Sequence, residues 1–504
     1  MVRVVMALLP SLAALVLAQS PASASASGAP GVTADELTVV PGPGVTLSVD
    51  GRPYAGQIVL APDRGGVDVV DRVGFEEYVE GIGEMPSNWP AAALQAQAVA
   101  ARTYALWTVL THPSSPGGGQ ICATDSCQVY IGLAKPQGRS GANWVAAVRA
   151  TQGQVLQYQG RIIEALYGSS DGGQTLSGGV PWLPAVADPQ DDLAPEHQWT
   201  WSQPLDAMAG VLGVPAGTSL VSLVSSSSAI TETLRNPDKS TSTVALTPEQ
   251  FHSVLNTQMP APPGLDLPLP SYRYSVSTYG TTVKIAGWGD GNGLGLSQYG
   301  ALGKALQGWS GGQILGNYYQ GATVAPLPPG EMPATIGVTL ESGVTAAGVA
   351  ATGPVRVVDR TGRTLASTSG PGGWRAAPAR SGVALTPAAG VRVDPAAVAA
   401  AADTAPIPPR VTTPQAAQSA APAASSSTTL PASPSASGTP VAGTAARVPA
   451  AAVDPASSAS TRRPGRGALL IGALVLGVVA AGLGGTAIFR VRTRPKSRDC
   501  PARR

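Results

Sequence analysis

Charge is scarce in this chain: 12% of its 504 residues are charged, against roughly 25% in an ordinary soluble domain. With a formal net charge of +2 there is no basic face to read, which excludes a nucleic-acid protein and implies no polyanionic partner. Cysteine and histidine are rare as well, three of each, so groups for nucleophilic, acid–base or metal chemistry are few. Alanine, glycine, serine and proline fill the space instead. At about 150 residues per domain the length allows about three domains, but much of the chain reads as unfolded or membrane-bound. One large folded unit and a smaller one are expected.

Both ends carry targeting signals. Arg3, the apolar stretch Val4 to Leu17 and the small residues Ala22, Ala24 and Ala26 read as a signal peptide over 1–26. Residues 467–489 form an uncharged apolar run, long enough to cross a bilayer at roughly 20 helical residues. The basic tail 490–504 places the C-terminus in the cytoplasm and the bulk of the chain outside. Between the folded part and this anchor, 399–466 is nearly all Ala, Pro, Ser, Thr, Gly and Val, too poor in apolar surface to offset the entropy of ordering. It is expected to be a disordered stalk. Before it, short β-branched runs in 334–395 predict a small separate β-rich module.

The main unit, 39–324, reads as α+β around a substrate cleft. Strand-like segments at 45–49, 57–60 and 67–73 come first, with an Asp50-Gly51 turn after the first. A helix follows from about Pro90 to Leu110, with Leu94, Ala98, Ala101, Ala105 and Val109 spaced to bury one face. Just before it lies the run Glu84-Met85-Pro86-Ser87-Asn88-Trp89-Pro90, which puts one carboxylate at the mouth of the helix. Apolar neighbours such as Met85 and Trp89 would favour its neutral form, whereas a first-turn position would lower its pKa. Glu76, Glu77 and Glu80 read as solvated helix-face charges.

Four segments resemble the stage II sporulation protein D family, which includes the amidase enhancers of bacterial cell walls. They are Tyr78 to Pro86 with Gln95 to Tyr104; Cys122 to Cys127 with Gln128 to Gly132; Tyr167 to Thr175; and Gly287 to Ala301 with Asn317 to Gly321. The resemblance implies a lytic transglycosylase that cuts the N-acetylmuramic acid to N-acetylglucosamine bond of peptidoglycan, with Glu84 as its catalytic acid. Ordinary glycosidases need two carboxyl groups; one suffices when the 6-hydroxyl of the muramic acid attacks the anomeric carbon and leaves a 1,6-anhydro sugar. The expected substrate-binding groups are Arg102, Tyr130, Tyr167, Asn292, Ser297, Gln298 and Tyr299. Sporulation is a family label and does not transfer to this chain.

Family members also hold zinc through one His and two Cys, which here points to His112, Cys122 and Cys127, a set that leaves one tetrahedral position open. A Cys122–Cys127 disulfide and no metal is the competing reading for an exported protein. Gly287 to Gln298 lacks the residues of a phosphate loop, a dinucleotide fingerprint or a calcium loop. It reads either as a sugar-binding floor or as a tight bend. The chain departs from the family at Asn292 and Gly168, where many members have histidine. Asn292 cannot shuttle a proton, which favours an alternative: a non-catalytic peptidoglycan-binding protein that enhances a cell-wall amidase. Ser169, Ser170 and Asp171 lack a histidine nearby in sequence for a hydrolase.

Overall fold

The computed structural model describes residues 31–328 and 330–393, all within one compact unit. The expected signal peptide 1–26, stalk 399–466, membrane span 467–489 and tail 490–504 lie outside the described residues, as does Cys500. Among the described residues no helix is long and apolar enough to cross a membrane.

The class is α+β, with seven α-helices among the described residues: α1 (Phe75–Glu80), α2 (Ala91–Thr111), α3 (Gly141–Ala150), α4 (Leu205–Val211), α5 (Pro248–Gln258), α6 (Gln298–Leu306) and α7 (Gly311–Tyr318). Two-residue turns set the register of the opening strands. Asp50-Gly51 and Arg64-Gly65 all have positive φ, the geometry that matches the twist of paired strands. They join Leu47–Val49 to Arg52–Tyr54 and Gln57–Asp63 to Gly66–Gly74.

A seven-stranded sheet runs Thr364–Ser367, Val355–Asp359, Leu37–Pro41, Gln57–Asp63, Gly66–Gly74, Thr335–Val344, Ile121–Cys122. A six-stranded sheet runs Val32–Ala34, Gly382–Pro387, Gly372–Ala379, Ala347–Ala351, Leu47–Val49, Arg52–Tyr54. The expectation of a separate β-rich module at 334–395 is therefore corrected. Thr335–Val344 pairs with Gly66–Gly74, and Val355–Asp359 pairs with Leu37–Pro41, so the C-terminal strands complete sheets begun at the N-terminus. Both sheets contribute to one apolar core.

Helix α2 is covered on nearly every side rather than on one face. Ala96, Ala98, Ala100, Ala101 and Ala105 are all fully buried, and α3, α6, α7 and the strand Gln154–Tyr158 pack around it. Alanine permits such close approach, and a helix apolar all round belongs in a core. The stretch from Gln198 to Trp288 builds a second core of its own from Trp199, Trp201, Met208, Leu223, Phe251 and Ile285, among others.

Candidate functional site

Glu84 lies between α1 and α2, but its partners come from elsewhere in the chain. Gly83 N donates to Val129 O at 2.8 Å and Ile131 N to Gly81 O at 2.9 Å, so residues 81–84 are zipped to residues 129–131. This zipper brings Val129 N to Glu84 Oε1 at 2.6 Å. The Tyr167 hydroxyl reaches the same oxygen at 3.4 Å. With both donors on Oε1, a proton on this carboxyl is favoured on Oε2. Burial pushes the Glu84 pKa up, opposed by the bonds from Val129 and Tyr167 and by the charge of Lys135. The expected pull of a helix N-terminus does not apply, because Glu84 precedes Pro90, the N-cap of α2, and so lies outside the helix's first turn.

Behind Glu84 stands a relay of neutral donors. Tyr78 Oη donates to Gln128 Oε1 at 2.7 Å. Gln128 Nε2 donates to Ala101 O at 3.2 Å and to Tyr167 Oη at 2.8 Å. Burial holds both tyrosine pKa values well above the usual range, so these hydroxyls stay protonated and Tyr167 is left to donate toward Glu84. Lys135 donates to Met85 O, and burial pushes its pKa down to about 8.

The third and fourth resembling segments close on the same place. Tyr167–Gly168 pairs in parallel with Leu296–Ser297, and Asn292 Nδ2 donates to Tyr167 O at 3.4 Å. A Cβ on Gly168 would lie 3.8 Å from Asn292 Oδ1; the two departures from the family pattern are thus neighbours beside Tyr167. The Trp89 and Tyr299 rings meet edge to face at 5.0 Å, and Tyr299 N donates to Ser169 O. Near Tyr299 sit two further acids, Asp290 and Glu196, each with its pKa raised by burial and by other carboxylates.

Of the expected ligand-facing residues, Tyr167, Asn292 and Tyr299 are half-buried and gather around this region, whereas four others belong to the interior. Arg102 is 0% exposed; its guanidinium makes paired bonds to Glu76 at 2.9 and 2.7 Å and one to Val148 O at 3.2 Å. It braces α2 against α1 and α3, and Glu76 is its partner rather than a solvated charge. Tyr130 donates to Asp71 at 2.8 Å and stacks between Tyr54 and Tyr78. Ser297 caps α6 by accepting from Gly300 N and donates to Asp191 at 2.6 Å. Gln298 is buried at the start of α6.

The glycine block is a tight bend. Gly289, Gly291, Gly293 and Gly295 all have positive φ, and a Cβ on Gly295 would lie 1.9 Å from Leu166 O, so the space beside it is filled by protein.

The zinc expectation at His112, Cys122 and Cys127 is also corrected. The two sulfurs are joined in a disulfide with a Cα–Cα distance of 5.5 Å, which removes the thiolates that would hold the metal. His112 lines a cavity of about 380 Å³ with both cysteines and Glu164. Its Nδ1 lies 2.9 Å from Thr111 Oγ1. With the disulfide formed, these residues do not fit a zinc ion, and among the described residues no group of three or more His, Cys, Asp or Glu is placed to hold a metal.

Nothing in the sequence marks that Gln128 bonds Tyr167, that the Lys135 charge reaches Glu84, or that Glu196 lies near Tyr299. Also unforeseen is His197, whose Nδ1 is 2.9 Å from Asp191. Ser170 Oγ also donates to Asp191, at 2.6 Å. Its proton goes to the carboxylate and not to the imidazole, unlike a Ser-His-Asp nucleophile.

Residues 63–158 match the family model described as Stage II sporulation protein. Over 278 residues the chain is 29% identical to stage II sporulation protein D of Bacillus amyloliquefaciens, covering 51% of this chain and 75% of that one. The protein of the same name from Bacillus subtilis (strain 168) is 28% identical over 278 residues, covering 51% and 76%. An amidase enhancer of Bacillus subtilis (strain 168) is 30% identical over 290 residues, covering 48% of this chain and 39% of that protein.

Proposed function

Given that the chain belongs to the stage II sporulation protein D and amidase enhancer family, we propose that it is a peptidoglycan lytic transglycosylase acting in cell-wall remodelling, with Glu84 as its acid and base. The observation that carries the reading is the Glu84 carboxyl, with its pKa raised by burial and both of its donors on Oε1. A proton on Oε2 then faces no protein acceptor among these contacts. In the reaction that proton passes to the leaving oxygen of N-acetylglucosamine as the glycosidic bond breaks. The muramic acid 6-hydroxyl attacks the anomeric carbon and returns its proton to Glu84, so no second carboxylate and no water are consumed. Tyr167, Asn292 and Tyr299 are the groups we assign to the glycan. We read 467–489 as a membrane anchor that leaves the bulk of the chain outside the cell.

The test is release of fragments from glycan strands stripped of stem peptides by the full chain. General acid catalysis contributes about 10²–10⁴-fold, so Glu84→Gln should cost that much with the fold retained; an unchanged rate overturns the assignment. One observation favours a second reading. Gly168 and Asn292 stand side by side where many family members carry histidine, which suits a protein that binds the strand and enhances an amidase. That reading predicts no strand cleavage, tight strand binding and faster amidase turnover, all indifferent to Glu84→Gln.

A further inference from the structure

Three buried carboxyl groups meet behind the segment that follows Tyr167, and their hydrogen bonds are unequal. Asp191 accepts five: Ser170 Oγ, Gly172 N and His197 Nδ1 on Oδ2, and Asp171 N and Ser297 Oγ on Oδ1. Asp188 accepts from Lys304 Nζ on one oxygen and from Tyr318 Oη on the other. Asp171 accepts only Gly173 N, at 2.9 Å on Oδ1. Its Oδ2 is enclosed with no donor facing it, although the residue is only 2% exposed.

The charged and titratable groups around Asp171 are accounted for from every side. Asp188 is the N-cap of the turn Pro189–Leu193 and Asp191 lies within it, His197 follows it, Lys304 comes from α6 and Tyr318 from α7. Arg273 donates to the backbone oxygens of Asp171 and Gln174. Lys304 is paired with Asp188, and the His197 ring is bonded to Asp191, so among the described residues no ion pair reaches Asp171. An unpaired charge buried beside two carboxylates is prohibitively unfavourable.

We propose that Asp171 is a neutral acid whose Oδ2 proton is donated to Asp188, and that this proton adds a latch to the strap Ser169–Gly173, which Asp191 also holds through Ser170 Oγ, Asp171 N and Gly172 N. The strap is the backing of the candidate site. Ser170 and Asp290 exchange N–H···O bonds at 3.0 and 2.9 Å, and Ser169 O receives Tyr299 N. Asp171 is thus a positioning residue, and the latch stands whether the strand is cleaved or only bound. Burial and the neighbouring Asp188 and Asp191 push the Asp171 pKa up to about 8. For an acid raised in the folded state, the stabilisation is complete below its unfolded pKa near 4 and is lost as pH rises to about 8. Asparagine is neutral at every pH and its amide can donate where the proton did.

The experiment is thermal unfolding of the full chain, wild type against Asp171→Asn and Asp171→Ala, across that pH range. The latch predicts that Asp171→Asn gains on the wild type as pH rises, reaching a Tm about 3 °C higher at pH 8, and that Asp171→Ala, lacking a donor, falls below Asp171→Asn throughout. A difference between Asp171→Asn and wild type that does not change with pH overturns the proposal. Infrared spectroscopy of the wild type supplies a check that needs no variant to fold. A protonated carboxyl band must remain at pH 7.5 beyond what Asp71, itself raised to about 7, still contributes there, and fall to half near pH 8; its absence at pH 7.5 would equally overturn the latch.

Discussion

The Lys135 ammonium lowers the Glu84 pKa while burial raises it, which gives a residue-scale test with a definite sign. Replacing Lys135 by Met removes the positive charge, so Glu84 holds its proton to higher pH. If Glu84 acts as the acid, the alkaline limb of the kcat/KM profile moves upward in Lys135→Met; a downward move contradicts the role. Arg102 makes the opposite kind of prediction. Because it is fully enclosed and paired with Glu76, Arg102→Met should cost about 3 kcal/mol of stability by leaving that charge without its partner. Urea unfolding measures this. Glu84 itself is visible in the sequence because its run is local. Arg102 was misread because a charged residue in an alanine-rich helix looks accessible until the packing on every side is known. The partners of Glu84, Val129 and Tyr167, sit far along the chain, and no spacing rule connects them.

At the scale of elements, local chemistry was a good guide where the signal is local. The Asp50-Gly51 turn and the strands on either side of it follow from the backbone freedom of those residues, and helix α2 begins where Pro90 ends the preceding loop. What periodicity could not show is that α2 is wrapped on all sides, since alanine reads as weakly apolar at every position. The Cys122–Cys127 loop adjoins the site directly. It ends one residue before Gln128 and two before Val129, which hold Tyr167 and Glu84. Thiol titration of the unfolded protein should therefore find only the Cys500 thiol before reduction and three after it. Changing both Cys122 and Cys127 to Ser should lower stability by about 2 kcal/mol and reduce strand cleavage more than strand binding. Three free thiols before reduction, with zinc retained, would contradict the disulfide.

For the whole molecule, strand order carries the lesson. The segment 334–395 looks like a module because its β-runs are bounded by glycine and proline, yet its strands share both large sheets with those of the N-terminus. Sequence patterns name strands but not their neighbours, and pairings separated by most of the chain leave no local trace. A chain ending at residue 333 should therefore lose cooperative unfolding altogether, because Gly66–Gly74 and Leu37–Pro41 would each lose a partner; a folded truncation would contradict the sheet order. The central claim, that one carboxyl group cleaves the strand without water, is tested most directly by digesting stem-peptide-free glycan in ¹⁸O-labelled water and weighing the products. The account predicts fragments ending in 1,6-anhydro-muramic acid, lighter by one water and free of label, and none from Glu84→Gln. Fragments with a reducing end carrying ¹⁸O would contradict it.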